Sequence, residues 1–185
     1  LTLEARTPLG ERHKQGEFML LDEDLQYRFF MATSERIEER GYVQYEVSNF
    51  ARDPAHFSRH NQKYWDHSPY LGLGPSAHSF LSPRRWWNHR SLSRYIAEID
   101  AGRRSVEGTE ILTRDQMALE ALFLGLRTKK GIHLHDFSSR FQSDLLAEKK
   151  EVIARLEAEG LVSVQEGCLA PTRAGLAVAD QLALI

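Results

Sequence analysis

One window of the sequence, between Tyr45 and Phe80, limits the fold more than any other. It reads YEVSNFARDPAHFSRHNQKYWDHSPYLGLGPSAHSF and mixes histidines, aromatic rings, amides and paired glycines. Residues 49–69 are too polar and too irregular for a regular helix or strand, and a loop of that length inside a compact domain is usually functional or disordered. Because the aromatic residues argue against disorder, the window predicts a ligand-binding loop rather than part of a hydrophobic core.

Composition narrows the classes of protein that this chain can represent. The sequence has one cysteine, Cys168, so it cannot form an intramolecular disulfide framework or, by itself, hold a cysteine-ligated iron–sulfur cluster or structural zinc. Its formal net charge of −2 gives no general attraction to nucleic acid or to an anionic membrane. No apolar run is long enough to cross a bilayer and the start lacks a secretory pattern, so we expect a cytoplasmic protein.

The first part of the chain is predicted to be α/β. A helix begins after the N-cap Asp22 and ends at Gly41. Strands flank this helix, which is typical of the strand–helix–strand units that build parallel sheets and barrels. The predicted elements are a strand end over residues 1–4, a loop over 7–16, the helix to about residue 40, strands over 42–47 and 70–73, and a helix over 91–102.

A change of composition near residues 105–109 predicts a domain boundary, which divides the chain into residues 1–107 and 108–185. Thr113 and Gln116 form a capping-box pattern, and the apolar residues behind them predict a buried helix. The predicted elements are helices over 117–126, 134–141 and 143–159, a hairpin of 161–165 with 168–170, and a last helix capped by Thr172. Three helices, a two-stranded wing and a closing helix are the elements of a winged-helix-like domain.

Such a domain makes nucleic-acid binding a hypothesis that has to be weighed. The third helix, where a DNA-binding protein would carry its recognition residues, has more acidic than basic side chains, and the hairpin adds Glu166 and no basic residue. The positive surface expected of a phosphate binder is therefore missing. We interpret this domain as a protein-contact domain or, more simply, as a cap over the preceding sheet, and we predict no nucleic-acid partner.

His60 is the candidate metal-binding residue. His56 and His60 are four residues apart, which on a helix would place both imidazoles on one face, although the surrounding polar residues argue against a helix there. The alternative is that His60 only anchors the loop while Asn61 caps a turn. The rings of Tyr64 and Trp65 follow within one turn, and flat rings beside an imidazole suit a planar ligand or, equally, fill a core.

The turn from Gly72 to Ala77 formally satisfies the G-x-G-x-x-A form of a dinucleotide fingerprint, with Gly74 as its second glycine. Pro75 removes an amide that a phosphate would need. The pattern therefore predicts only that the backbone here approaches a ligand or another segment closely.

Two further pairs of side chains are candidates for a site. Glu46 and Asn49 follow the second predicted strand, at the position from which parallel sheets project functional side chains. Arg85 and Trp86 can hold a carboxylate-bearing aromatic ligand by ion pairing and stacking, or they can form a packing patch between domains. The sequence contains no recognisable nucleophile elbow and no paired carboxylates at a defined spacing.

Several segments, taken in order, resemble one family. They are YEVSNFAR from Tyr45, RHNQKYW from Arg59, YLGLGPSAHSF from Tyr70, RWWN from Arg85, LGLR from Leu124 and LAPTRAGL from Leu169. Together they are similar to the second half of oxygen-independent coproporphyrinogen III oxidase-like radical SAM proteins, in particular to the haem-chaperone (HemW) subgroup. Because the chain also starts at Leu1 rather than at a methionine, we expect it to be the C-terminal half of a longer protein.

The resemblance implies a partial (β/α) barrel with S-adenosylmethionine and a [4Fe-4S] cluster, which three cysteines hold in a C-x-x-x-C-x-x-C motif. This sequence lacks the motif. Any catalysis would therefore depend on the missing N-terminal half of the same protein, and we expect the present chain to be inactive alone.

The resemblance also implies contact with haem or another tetrapyrrole. In that interpretation His60, Asn61, Tyr64 and Trp65 form an HN-x-x-YW motif with His60 as iron ligand, and Arg85 and Trp86 contribute to the same surface. The cofactor end of the barrel would be lined by Glu46, Asn49, Gly72, Gly74 and Ala77, and Ser76, where many relatives have glycine, should leave the turn intact.

Two kinds of parent protein agree with the resemblance. One is a haem chaperone that passes haem to an accepting protein, and the other is a radical SAM coproporphyrinogen III dehydrogenase that oxidatively decarboxylates propionates. The HN-x-x-YW motif favours the chaperone, because an oxidase needs groups that position its substrate more than it needs an iron ligand.

Overall fold

The structure, a computed structural model, describes residues 3–182. The predicted strand end over residues 1–4 lies partly outside this range, and residues 3 and 4 are not in a strand. The helices are α1 Pro8–Lys14, α2 Glu23–Glu38, α3 Arg59–Trp65, α4 Leu92–Asp100, α5 Arg114–Gly125, α6 Leu134–Phe141, α7 Leu145–Glu148, α8 Lys150–Ala158, α9 Arg173–Ala177 and α10 Ala179–Leu182. The strands are β1 Val43–Gln44, β2 Phe50–Ala51, β3 His78–Leu81, β4 Arg84–Asn88, β5 Val106–Ile111, β6 Ile132–His133, β7 Val162–Gln165 and β8 Cys168–Pro171.

Two helices open the described chain, and only the second was predicted. The interpretation of residues 7–16 as a loop is wrong, because Thr7 caps α1 by accepting a hydrogen bond from the Gly10 amide at 3.1 Å and Pro8 occupies a favoured first position. The prediction for α2 is confirmed. Its N-cap Asp22 accepts from the Leu25 amide at 2.7 Å, and Gly41 follows its end at a φ of +82°.

The segment after α2 forms a short antiparallel hairpin instead of a parallel strand–helix–strand unit. β1 covers two residues of the predicted strand over 42–47 and pairs antiparallel with β2. Every strand pair between residues 3 and 182 is antiparallel, so the parallel strands of the expected partial barrel are not found in this part of the chain. The fold is a mixed α/β one.

The long loop predicted over residues 49–69 is more regular than its polarity suggests. It contains β2, a 3₁₀ turn over Pro54–His56 and the two-turn helix α3. Asp53 caps the turn through the Ala55 amide at 2.9 Å, and Ser58 caps α3 through the Asn61 amide at 3.2 Å. Capping side chains, rather than apolar periodicity, therefore define these short elements.

An antiparallel sheet of β3, β4 and β5 follows the glycine turn. The strand predicted over residues 70–73 is reduced to one bridge between Tyr70 and Phe80, whereas the helix predicted over 91–102 is present as α4 with Ser91 as its N-cap. The RWWN segment, which was not assigned to a strand from the sequence, is the central strand of this sheet. β5 runs through the boundary proposed between residues 107 and 108.

The C-terminal elements agree closely with the predicted ones. The capping box of Thr113 and Gln116 is present at the start of α5, but this helix is only half buried, since Leu119 and Phe123 are exposed. The helix predicted over 143–159 is broken at Lys149 into α7 and α8, and the last helix is broken into α9 and α10. β6, which was not predicted, joins the hairpin to give a sheet in the order β6-β8-β7.

The largest hydrophobic core lies in this C-terminal part. Leucine, isoleucine, valine and phenylalanine side chains from α5, α6, α7, α8 and the three strands meet there, and Leu126 and Leu169 are completely buried. The buried members are Leu122, Leu126, Ile132, Phe137, Phe141, Leu145, Ile153, Leu156, Val162, Leu169 and Leu182.

Candidate functional site

Glu46 is the centre of a buried polar cluster. Glu46 is 2% exposed, and its carboxylate accepts hydrogen bonds from the side-chain amide of Asn49, from the indole N–H of Trp65, and from the side-chain amide of Asn61 at 3.4 Å. The sequence names these four residues as candidates for a ligand site, and in the fold their polar groups bind one another. Glu46 and Asn49 are therefore anchors within the fold, and no ligand is needed to explain their burial.

The helix α3 divides the HN-x-x-YW motif into two pairs. Asn61 and Trp65 lie four residues apart, on the face that meets Glu46. His60 and Tyr64 form the other pair, with ring centroids 5.0 Å apart in an edge-to-face arrangement, and the His60 ring is exposed. One pair thus fixes the helix while the other presents an imidazole beside a phenol ring.

The structure separates the two histidines that were considered as joint metal ligands. His56 lies in the 3₁₀ turn, where its Nδ1 is 2.8 Å from Asp53. That hydrogen bond lowers the pKa of the Asp53 carboxyl. Across residues 3–182, histidine, cysteine, aspartate and glutamate side chains form no group of three or more that could hold a metal ion. His60 therefore belongs to no cluster of this kind within the described residues.

The glycine turn approaches another segment rather than an open site. A Cβ atom at Gly72 would overlap the carbonyl oxygen of His78, and the Gly72 amide donates to the Ser79 hydroxyl at 3.0 Å. Asn88 donates its side-chain amide to the Gly74 carbonyl at 2.9 Å. Close packing against the sheet therefore explains Gly72, whereas Gly74 is explained by its φ of +103°, which favours glycine. Ala77 ends the turn, and its carbonyl accepts from the Asn88 amide at 3.0 Å.

Arg85 and Trp86 do not act together. They are neighbours in β4, and neighbouring residues of a strand project to opposite faces of the sheet. Arg85 pairs with Glu110 at 3.1 Å and with Glu120, whereas Trp86 lies near the Arg84 guanidinium at 5.8 Å. A single carboxylate-bearing aromatic ligand held by Arg85 and Trp86 does not fit this geometry.

Arg85 and Tyr64 instead line a cavity of about 330 Å³ that the sequence did not predict. The cavity lies between the end of α3, the sheet β3-β4-β5 and the exposed side of α5. The other lining residues are His67, Tyr70, Phe80, Glu120, Phe123 and Leu124. His67 lies in the window between Tyr45 and Phe80, but no sequence signal connects it with Glu120, which lies on a helix of the other predicted domain.

Burial changes the acid–base properties of two cavity residues. Burial lowers the pKa of His67, and the nearby cations Arg140 and Arg85 act in the same direction, while Glu120 partly opposes them. Burial also raises the pKa of Tyr70. Both shifts favour the uncharged forms of these rings.

The C-terminal part of the chain matches a known protein family. Residues 112–178 match the family described as HemN C-terminal domain. They cover α5 to α9 and most of the hydrophobic core. Residues 112–178 are therefore similar to the HemN C-terminal domain family.

Curated relatives extend the similarity over nearly the whole chain. The chain is 33% identical over 181 residues to the haem chaperone HemW of Mycobacterium tuberculosis, an alignment that covers 97% of this chain and 44% of the relative. It is 35% identical over 196 residues to a mitochondrial protein of Bos taurus named radical S-adenosyl methionine domain-containing protein 1, covering 100% of this chain and 44% of the relative. The resemblance predicted from the sequence is confirmed, and the chain spans less than half the length of these relatives.

A solved structure supports the fold. Coproporphyrinogen III oxidase (HemN) from Escherichia coli, described as a radical SAM enzyme, superposes with a TM-score of 0.63 at 19% identity, covering 83% of this chain and 39% of that one. At this identity the likeness concerns the fold alone. None of the helices within residues 3–182 is long and apolar enough to cross a membrane.

The residues of this chain do not fit the iron–sulfur cluster that the resemblance implies. Its one cysteine, Cys168, is half buried in β8, next to the hydrophobic core of the C-terminal part. Three thiolates are needed for such a cluster, so no catalytic step through it can be assigned to these residues.

Proposed function

We propose that this chain is the C-terminal part of a haem chaperone similar to HemW and that it binds haem through His60. The observation that carries the proposal is the presentation of the His60 ring. The ring is exposed, and its edge-to-face contact with Tyr64 holds it on a helix whose opposite face is anchored to Glu46. The names of the HemW relatives support haem as the cargo.

In this proposal the haem iron is ligated by one imidazole nitrogen of His60. The neutral imidazole is a common ligand of haem iron. Tyr64 would lie beside the porphyrin, where its ring covers one edge of the plane and its own packing against Tyr70, at 4.6 Å between centroids, limits its movement. A fixed helix lowers the entropy that binding has to overcome.

We also propose what the rest of the larger protein binds and where the protein acts. The cluster and S-adenosylmethionine would be bound by an N-terminal half, a separate haem-accepting protein would receive the cargo, and the protein would act in the cytoplasm. The C-terminal part, with the domain division between residues 107 and 108, would have a winged-helix-like arrangement. A winged helix that binds nucleic acid is a lesser alternative, because residues 143–159, which include α7 and α8, carry five acidic and three basic side chains.

Haemin titration followed by optical spectroscopy tests the ligand. We expect a Soret shift that saturates at one equivalent of haemin and that the substitution His60→Ala abolishes. His135→Ala is the matched control, because His135 is also exposed on a short helix but belongs to the C-terminal part. The control should bind haemin as the unsubstituted chain does.

Binding that is absent, or that is unchanged by His60→Ala, would contradict the proposal. The alternative parent, a radical SAM coproporphyrinogen III dehydrogenase, would then be favoured, with α3 as a purely structural element. Binding lost equally in His60→Ala and His135→Ala would indicate non-specific haemin adsorption and would also overturn it.

A further inference from the structure

The cavity of about 330 Å³ between α3, the sheet β3-β4-β5 and α5 has the size of a small-molecule site. Ligand pockets typically have volumes of ~300–1,000 Å³, and an apolar cavity of roughly 150 Å³ already accepts benzene. This space therefore accommodates one aromatic ring with substituents. It is separate from the exposed His60 ring, although Tyr64 borders both.

Most of the cavity wall consists of rings. The Tyr64 and Tyr70 rings meet edge to face, and Tyr70 lies 6.3 Å from Phe80 between centroids. Phe123 and Leu124 close the side formed by α5. Aromatic walls at these spacings favour a flat apolar guest, because a further ring can pack against them edge to face or offset.

His67 supplies an unsatisfied polar group to this apolar space. Its side chain is 6% exposed, and neither ring nitrogen has a hydrogen-bond partner within the described residues. Nε2 lies 3.3 Å from the Glu120 carboxylate, but outside hydrogen-bonding geometry. Buried polar atoms are almost always paired, and each exception needs an explanation.

The backbone holds His67 in this position at a cost. Its φ is +52°, a left-handed conformation that is uncommon for residues other than glycine. The His67 amide donates to the Tyr64 carbonyl at 3.0 Å, and the imidazole stacks on Phe80 with centroids 4.5 Å apart and planes 14° apart. The Ser68 amide also donates to the Lys63 carbonyl at 2.9 Å, so the positive φ belongs to the cap that ends α3, and this cap fixes the position of the imidazole.

The charges around the cavity favour a neutral guest. Arg85 is the cation, and it is already paired with Glu110 and Glu120. An anionic ligand would have to displace a carboxylate from Arg85, and a cationic ligand would have to lose its hydration inside a wall of rings. A hydroxyl group meets neither obstacle and can donate to or accept from an imidazole nitrogen.

We propose that this cavity is a binding site for a small, neutral, hydroxylated aromatic molecule of the phenol class, whose hydroxyl pairs with a ring nitrogen of His67. The aromatic ring of the guest packs among Tyr70, Phe80 and Phe123. The site joins the HN-x-x-YW helix to the HemN C-terminal domain, so its occupation stabilises the contact between these two parts.

Calorimetric titration of the whole chain with phenol, toluene and benzoate tests the site. We expect saturable binding of phenol, weaker binding of toluene, which has the ring without the hydroxyl, and no binding of benzoate, which carries a charge. The resonances of the His67 imidazole should shift with phenol. In His67→Phe, which keeps a ring but removes both nitrogens, the preference for phenol over toluene should fall about fivefold, the value of one hydrogen bond.

A second variant keeps the test decisive if phenylalanine is not tolerated at the positive φ of residue 67. Leu124→Trp fills the cavity and should abolish phenol binding, whereas Leu119→Trp, at an exposed position of the same helix, should leave it unchanged. Absence of phenol binding, equal binding of all three probes, or phenol binding that survives Leu124→Trp would overturn the proposal.

Discussion

Residues 112–182 bury a continuous set of leucine, isoleucine, valine and phenylalanine side chains, whereas residues 34–111 bury mainly polar ones. The buried polar side chains of the first region are Ser34, Gln44, Glu46, His67, Ser79, Asn88, His89 and Ser105, against the buried apolar side chains Tyr45, Ala51 and Phe80. Hydrogen bonds are directional and hydrophobic contacts are not. The first region is therefore built to hold particular side chains in place, and the second to provide a stable support.

The two regions meet through backbone pairing as well as through the cavity. The Val47 amide donates to the Arg127 carbonyl at 3.0 Å, and the Lys129 amide donates to the Tyr45 carbonyl at 3.1 Å. Glu46 lies between these two bonds. The turn after α5 thus extends the β1 segment and connects the polar cluster to the C-terminal part of the chain.

The largest loss of stability is expected for a substitution in the apolar region. Leu169 is completely buried in the central strand of the C-terminal sheet, and Leu169→Ala should lower the free energy of unfolding by about 4 kcal/mol, because it leaves a cavity in a packed core. Urea unfolding measures the change. Leu119→Ala, at an exposed position of α5, should change it by less than about 0.5 kcal/mol, and similar losses in both variants would contradict the assignment of the core.

A smaller loss is expected from the polar cluster. Glu46→Ala leaves the indole N–H of Trp65 and the side-chain amide of Asn61 without their acceptor, which should cost about 2–3 kcal/mol. Urea unfolding and near-ultraviolet circular dichroism of the tryptophans measure the effect. Glu39→Ala removes an exposed carboxylate that pairs with Arg36 at 3.0 Å and should be nearly neutral; a Glu46 variant as stable as this control would show that the cluster is not needed.

A local effect is expected at the glycine turn. Asn88→Ala removes the donor to the Gly74 carbonyl and should cost about 1 kcal/mol. Amide hydrogen exchange should accelerate over residues 72–77 while protection in the C-terminal sheet stays unchanged. Faster exchange throughout the chain would mean that the turn contributes to global stability instead.

The smallest expected effect is a dependence of the free energy of unfolding on pH. Because burial lowers the pKa of His67 below its ordinary value of 6.5, the folded protein favours the neutral ring. Its stability should be fully present above that value and should fall as the pH decreases below it, since the unfolded chain then binds a proton more readily. The neighbouring charges Glu120, Arg85 and Arg140 modify this shift.

Unfolding of the chain and of His67→Asn at about pH 7.5 and about pH 5.5 measures this dependence. Asparagine tolerates a positive φ, so the variant should fold and lose part of the decrease in stability at the lower pH. An identical pH dependence in both proteins would exclude His67 as its source.

The C-terminal part could be predicted from the sequence better than the first part for a physical reason. Apolar periodicity marks α6 and the hairpin of β7 and β8, and the capping box marks the start of α5. The breaks at Lys149 and between α9 and α10 have no comparable signal. In the first part, single capping side chains define short elements such as α1 and α3. The neighbouring residues are polar as well, so the capping side chains cannot be distinguished from them in the sequence.

The sequence names candidate residues, but it does not predict how they are arranged. Glu46, Asn49, Asn61 and Trp65 are candidates for a ligand site in the sequence, and they satisfy one another inside the fold. The cavity depends on the approach of Glu120 to His67 across more than fifty positions of sequence. Only the packing of α5 against α3 brings these side chains together.

Amide hydrogen exchange with and without haemin tests most directly whether the first region binds the ligand while the C-terminal region only supports it. We expect one equivalent of haemin to slow amide exchange over α3 and the residues up to Tyr70, while exchange in α8, β7 and β8 stays the same. Slowing that is confined to the C-terminal sheet, or that persists over α3 in the His60→Ala variant, would contradict this expectation.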